Sequence, residues 1–222
     1  MMLLRPLHPL LRPLYFWWTR KERRVRIDGL DLLVAPGVFH PTFFHSTGTL
    51  VRYIQRLPLR GRSFLELGAG AGRVSLVAAR AGAVVTASDI NTAAITCLKR
   101  NAQRNALPIR VVNSDLFAAL PDHFEVIVIN PPYYEHEPQD ARRGAFFSGE
   151  GHRYFHRLVP ALAERIDSGS EVHLVLSADP RLSGIHALAA RSGLHATRVH
   201  AERHWGEEQV VFRLARSRAH GG

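Results

Sequence analysis

The 222-residue chain has one cysteine, two methionines and, among its 29 basic residues, only two lysines. The lone thiol, Cys97, cannot close an internal disulfide, which fits a reducing compartment and a cytoplasmic location. It falls within a helical pattern and reads as a small core residue. No apolar run reaches the ~20 residues needed to cross a bilayer, and no apolar stretch ends in a small-residue cleavage site. A P-loop, a Ser-His-Asp arrangement, internal repeats, low-complexity tracts and internal linkers are all missing. His152 and His156 share a helix face at i, i+4 without a third ligand, so no metal is expected.

What remains is an ordinary globular composition, 46% apolar and 22% charged, with length for one full core rather than two. The formal charge of +10 invites a nucleic-acid reading, but it is unevenly spread. Residues 1–26 hold seven Lys/Arg and one Glu, and residues 213–222 hold three Arg and no acid. The remaining 27–212 hold 19 Lys/Arg against 18 Asp/Glu, a net of +1. The body is nearly neutral, so the basic pI is weak evidence for a nucleic-acid partner. Residues 1–26 read as a basic, aromatic arm and 27–222 as the domain. Tyr15-Phe16-Trp17-Trp18 followed by Arg20, Lys21, Arg23 and Arg24 is also compatible with peripheral contact at a membrane surface through residues 1–20. An arm packed on the domain or on a partner is the preferred reading.

Val25 to Val34 alternates as a hairpin turning at Asp28-Gly29. Pro36-Gly37 breaks it, and a helix follows from about Phe43 to Leu57, ended by Pro58. Strands and helices then alternate. Strands are expected at 63–67, 83–87, 109–113, 125–129 and 171–177, and helices at 72–81, 91–105, 152–166 and 180–191. A short helical link joins the third and fourth of these strands, and two further strands, 195–201 and 209–214, close the chain. That order predicts an α/β fold with a doubly wound, mainly parallel sheet.

Three strand ends carry polar or glycine-rich chemistry. Glu66-Leu67-Gly68-Ala69-Gly70-Ala71-Gly72 lets the backbone press close to a ligand at a helix N-terminus, and Glu66 can accept from a ligand's ammonium. The third glycine arrives one residue too early for a dinucleotide fingerprint. Asp89, about 20 residues on, can accept both hydroxyls of a ribose, or else cap the next helix, a role Asn91 can also fill. Asp115 can accept from an adenine amino group while its neighbours pack on the ring. A fourth end is Val126-Ile127-Val128-Ile129-Asn130-Pro131-Pro132-Tyr133, where a strand buried on both faces stops at a rigid turn.

Together, the glycine loop, the acid, Asp-Leu-Phe and Asn-Pro-Pro-Tyr resemble the class I S-adenosylmethionine-dependent methyltransferases, over roughly 37–214. The resemblance implies a Rossmann-like seven-stranded sheet with an antiparallel last strand. It also implies S-adenosyl-L-methionine as cofactor, held by Glu66, Gly68, Gly70, Gly72, Asp89, Ile90, Asp115 and Leu116. Asn-Pro-Pro-Tyr marks relatives that methylate a planar nitrogen, either a glutamine side chain of a translation factor (the HemK-like enzymes) or an exocyclic base amine of RNA or DNA. In such chemistry Asn130 Oδ1 and the Pro131 carbonyl each accept one N–H, Pro132 keeps the turn rigid, and Tyr133 stacks on the planar group. Pro36 to Pro41, the Ser148-Gly149-Glu150-Gly151 stretch and the closing Gly206 to Val210 segment are similar to the shorter HemK-like proteins. A protein glutamine is therefore the favoured acceptor, a base amine the alternative, and an inactive binding protein of the same fold the third reading.

Overall fold

The computed structural model describes residues 18–120, 123–132, 153–167, 169–178, 183–204 and 207–216. The chain opens with a hairpin, β1 (Arg23–Ile27) and β2 (Leu30–Val34), so β1 takes in the last residues of the basic arm. Its turn sits at Asp28 and Gly29, both at positive φ (52° and 70°), the pair of left-handed residues that a tight two-residue hairpin needs. Helix α1 (His45–Ile54) follows, then β3 (Ser63–Leu67), α2 (Arg73–Arg80), β4 (Val84–Asp89), α3 (Thr92–Arg104), β5 (Ile109–Asn113) and β6 (Val126–Ile129). The chain closes with α4 (Arg153–Arg165), β7 (Glu171–Ser177), α5 (Ser183–Arg191), β8 (Leu194–His204) and β9 (Glu207–Arg216).

The seven strands of the main sheet lie in the order β5-β4-β3-β6-β7-β9-β8. β3 pairs in parallel with both β4 and β6, and β9 runs antiparallel to β7 and β8. The expected doubly wound, mainly parallel sheet with an antiparallel last strand is the fold observed. The winding reverses between β3 and β6, the point in such sheets where strand ends splay and leave a crevice.

β6 shows why this strand reads as it does. Val126 and Val128 enter the apolar cluster shared with α1 and α2, while Ile127 and Ile129 enter the one shared with α4 and α5. All four are at most 2% exposed. Burial on both faces demands an unbroken apolar run, and each such side chain contributes roughly 1.5–3 kcal/mol.

Two expectations change. The short helix between β5 and β6 is instead a pair of turns, Ala118 N to Asp115 O and Leu120 N to Phe117 O, because Leu116 adopts φ 47° and breaks helical winding. The last two strands run longer than their apolar cores. In β8, His200, Glu202 and His204 stand on the face towards α1, where Glu202 accepts from Arg52, Thr49, His204 and His200. Led by the Arg52 bonds, these partners pull the Glu202 carboxyl well below the ordinary range and clamp α1 to the sheet.

The hairpin is joined to α3 by side chains that imitate a strand. Asn101 Oδ1 accepts from Leu33 N (2.7 Å) and its Nδ2 donates to Leu33 O (2.8 Å) and to Ala71 O (2.9 Å). One turn later, Asn105 makes the same exchange with Asp31. Arg24 of the arm and Arg104 of α3 both pair with Asp31, and Arg100 of α3 pairs with the arm's Glu22, so ion pairs tie the end of the arm to the domain.

Asn101 is fully buried. Replacing it by Ala strips its bonds from Leu33 N and from Ala71 O of the glycine loop, and leaves Leu33 O with Cys97 Sγ. Asn101→Ala is expected to lower unfolding stability by about 2–4 kcal/mol in urea titrations. A loss below about 1 kcal/mol would show that the amide ladder is dispensable.

Candidate functional site

The site lies along the C-terminal ends of β3, β4, β5 and β6. Leaving β3, Gly68 N and Ala69 N both donate to Ser88 O (2.9 Å each), and Gly72 N donates to Ala69 O (2.8 Å). The three glycines have φ of 79°, 54° and 84°, so a side chain at any of them would be strained. Their surroundings differ. A Cβ on Gly68 would meet nothing within 4 Å, whereas one on Gly72 would stand 1.9 Å from the buried Leu98 Cδ1. Gly72 is thus a packing position, and Gly68 is where open space reaches the backbone.

Glu66 is 4% exposed. Its Oε2 accepts from Ser75 N (2.8 Å) and from the Ser75 hydroxyl, so it caps the first turn of α2 from the preceding strand. Burial pushes its carboxyl up to about 8, with Asp89 adding to the rise. Asp89 Oδ2 accepts from Gly70 N (2.9 Å) and its Oδ1 from Asn91 N (2.9 Å). The cap of α3 is Asn91, whose Oδ1 accepts from Ala93 N. Burial raises the Asp89 carboxyl as well, against its backbone hydrogen bonds. Beside it, Ile90 is 66% exposed, an apolar side chain projecting from a strand end.

Asp115 and Leu116 begin the turn after β5. Asp115 Oδ2 pairs with Arg157 of α4 at 2.7 Å, both side chains being about half exposed. Leu116 is half-buried and its carbonyl accepts from Ser114 Oγ (2.9 Å). Across the switch point, Leu67 lies in register with Ser88 on one side and Ile129 on the other, so Asn130 stands beside Gly68. Asn130 Nδ2 donates to Thr47 Oγ1 of α1 (3.1 Å), Pro131 is buried and Pro132 half-buried. Tyr133, the Ser148 to Gly151 stretch and His152 lie outside the described residues.

The structure therefore brings Gly68, Gly70, Asp89, Ile90 and Asn130 around one crevice, with Asp115 and Leu116 at the β5 end. Sequence reasoning passed over several contributors. Asn113 Nδ2 donates to Asp89 O and Ile90 O, holding the end of β4. Tyr154 of α4 is half-buried, and burial pushes its phenol up, with Asp89 and Asp115 adding to the rise. Phe39 approaches Gly70 (3.8 Å from its Cβ position) and stacks on Phe44 at 4.6 Å. Arg73, salt-bridged to Asp28, straps this segment down by donating to Pro41 O (2.8 Å). Among the described residues, no group of three or more His, Cys, Asp or Glu side chains could hold a metal, and no helix is long and apolar enough to cross a membrane.

Residues 29–154 match the family model described as methyltransferase small domain. A Methanocaldococcus jannaschii relative, provisionally named a protein N5-glutamine methyltransferase, is 29% identical over 159 residues, 69% of this chain and 79% of that one. The release factor glutamine methyltransferase of Geobacter sulfurreducens is 29% identical over 157 residues, 64% of this chain and 54% of its own length. Among solved structures, a T. thermophilus 16S rRNA N2-guanine methyltransferase in complex with AdoMet and guanosine superposes with a TM-score of 0.63 at 27% identity. That match covers 89% of this chain and 50% of the other, so the chain spans about half the length of these last two relatives.

Glu66 generates a test that needs no ligand. Its folded value, about 8, stands above the ordinary 4.5, so from about 4.5 to 8 the fold keeps a proton that the unfolded chain has shed. This contribution is complete below that window and is lost as pH rises through it. The thermal midpoint should fall more steeply over this range in the wild type than in Glu66→Gln. Parallel slopes would remove the buried, protonated carboxyl from the site.

Proposed function

This chain belongs to the methyltransferase small domain family of class I S-adenosylmethionine-dependent N-methyltransferases, and on that premise we propose that its methyl acceptor is the side-chain amide of a protein glutamine. The observation that carries the reading is the placement of the Asn130 carboxamide beside Gly68, on a turn made rigid by Pro131 and Pro132.

The crevice fits the cofactor on this structure's own features. The open space in front of Gly68 admits a ligand at van der Waals distance from the backbone. Asp89, fixed by two backbone amides, presents a carboxylate to ribose hydroxyls, and the exposed Ile90 offers an apolar face to a purine. Asp115 and Leu116 would hold the far edge of the base. Both hydrogen bonds to Glu66 fall on Oε2, so the acid meets a ligand ammonium through its other oxygen. When bound, S-adenosylmethionine supplies a methyl group on a positively charged sulfur. The chain's own part is placement. Asn130 Oδ1 and Pro131 O accept the two N–H bonds of the acceptor, orient its lone pair, and strengthen as positive charge develops on that nitrogen.

Two observations favour a protein over a nucleic acid. The body from 27 to 212 carries a net charge of only +1, and Arg24 of the hairpin, Arg73 of α2 and Arg100 and Arg104 of α3 are paired with Asp31, Asp28 and Glu22. The relative named for glutamine methylation also matches over most of its length. The base-amine reading draws on the T. thermophilus neighbour, solved with guanosine. A cytoplasmic protein with a translation-factor partner follows from the first reading.

The deciding measurement is transfer from tritiated S-adenosylmethionine into a cell extract, divided between protease and nuclease. Label should be lost with protease and survive nuclease, and the opposite pattern would replace the glutamine by a base amine. Asn130→Ala should reduce transfer by about 10²-fold or more while S-adenosylhomocysteine affinity in calorimetry stays within about threefold.

A further inference from the structure

We propose that Thr47 is a positioning residue for methyl transfer: its hydroxyl, presented by α1, holds the Asn130 carboxamide in the orientation that meets the acceptor nitrogen. The proposal rests on the assignment of Asn130 to the acceptor site and adds a residue from outside the strand-end motifs. Asn130 Nδ2 donates to Thr47 Oγ1 at 3.1 Å across 83 residues of chain. The final torsion of an asparagine side chain is broad, so a rigid backbone turn alone does not fix the plane of its amide. A hydrogen bond to a group that cannot itself move does.

Thr47 is such a group. It is 5% exposed, its β-branched side chain is stiff about χ1, and it sits in the first turn of a helix whose Leu50, Val51 and Ile54 are sunk in the core. α1 is held in turn by the bonds from Thr49 and Arg52 to Glu202 and by its packing against β7, β8 and β9. Anchoring one end of the carboxamide fixes the other, so Oδ1 is placed by the same bond. Hydrogen bonds made in the transition state lose most of their effect when the acceptor swings by about 1 Å, a displacement that can cost roughly 10²-fold in rate.

The test uses full-length protein labelled with ¹⁵N-asparagine, with the Asn130 side-chain NH₂ signal identified by its loss in Asn130→Ala. In Thr47→Val, which keeps the shape and removes the hydroxyl, this signal should shift and its hydrogen exchange accelerate by about tenfold or more. Thr47→Ser should restore the wild-type signal. Turnover with the tritium-accepting extract fraction should fall by about 10- to 100-fold in Thr47→Val with the apparent KM for S-adenosylmethionine unchanged, and recover in Thr47→Ser. An unaltered Asn130 signal, or full turnover, in Thr47→Val would overturn the proposal. If Asn130→Ala is inactive while Thr47→Val is fully active, only the role of Thr47 fails. If Asn130→Ala itself turns over normally, the reading of the acceptor site fails.

Discussion

β3 is hydrogen-bonded in parallel along both its edges, Phe64 to Leu67 against Val85 to Ser88 on one side and against Val126 to Ile129 on the other. Every feature of the site inherits its position from that double pairing. It sets the glycine loop level with Asp89 and with Asn130, and it places the reversal of winding between them. A slip of one residue in the β3–β6 register would turn Val126 and Val128 to the opposite cluster and carry Asn130 to the wrong face. The buried, branched side chains of β6 make such a slip costly, so the geometry of the strand ends is secured by core packing.

The polar groups at the crevice are costly in the same low-dielectric setting. Glu66 is buried and Asp89 half-buried, and both carboxyls are raised, yet each is tied to backbone amides of the loop or helix it faces. Those amides orient the oxygens before any ligand arrives. A cationic ligand would then favour the ionised form of Glu66, reversing part of the burial cost at the moment of binding. The site is therefore preorganised by hydrogen bonds, against a desolvation that raises both carboxyls.

The elements ahead of β3 have a distinct part. The hairpin is stitched to α3 by Asn101 and Asn105, and Asn101 reaches on to Ala71 in the glycine loop. The segment from Gly37 to Phe44 crosses that loop, fastened by Asn91 to Gly37 O and by Arg73 to Pro41 O. It leads into α1, whose Thr47 meets Asn130. One continuous stretch of chain thus touches both the glycine loop and the Asn-Pro-Pro turn, a link that the α/β core alone would not supply.

The glycine loop, the acid some 20 residues later and the four-residue apolar strand before Asn-Pro-Pro were all legible in the chain, because each is a local pattern with one dominant physical cause. Left-handed backbone calls for glycine, a doubly buried strand calls for branched apolar residues, and a rigid stop calls for proline. The link after β5 was misread because a left-handed leucine leaves no such mark. What only the tertiary structure decided is the pairing of polar groups: Glu66 with Ser75, Asp115 with Arg157, Asn101 with Leu33 and Asn130 with Thr47. Threonine, asparagine and arginine are equally at home on a solvated surface, and a hydrogen bond has no sequence spacing. Its partner is settled only when packing removes the water that would otherwise compete for it.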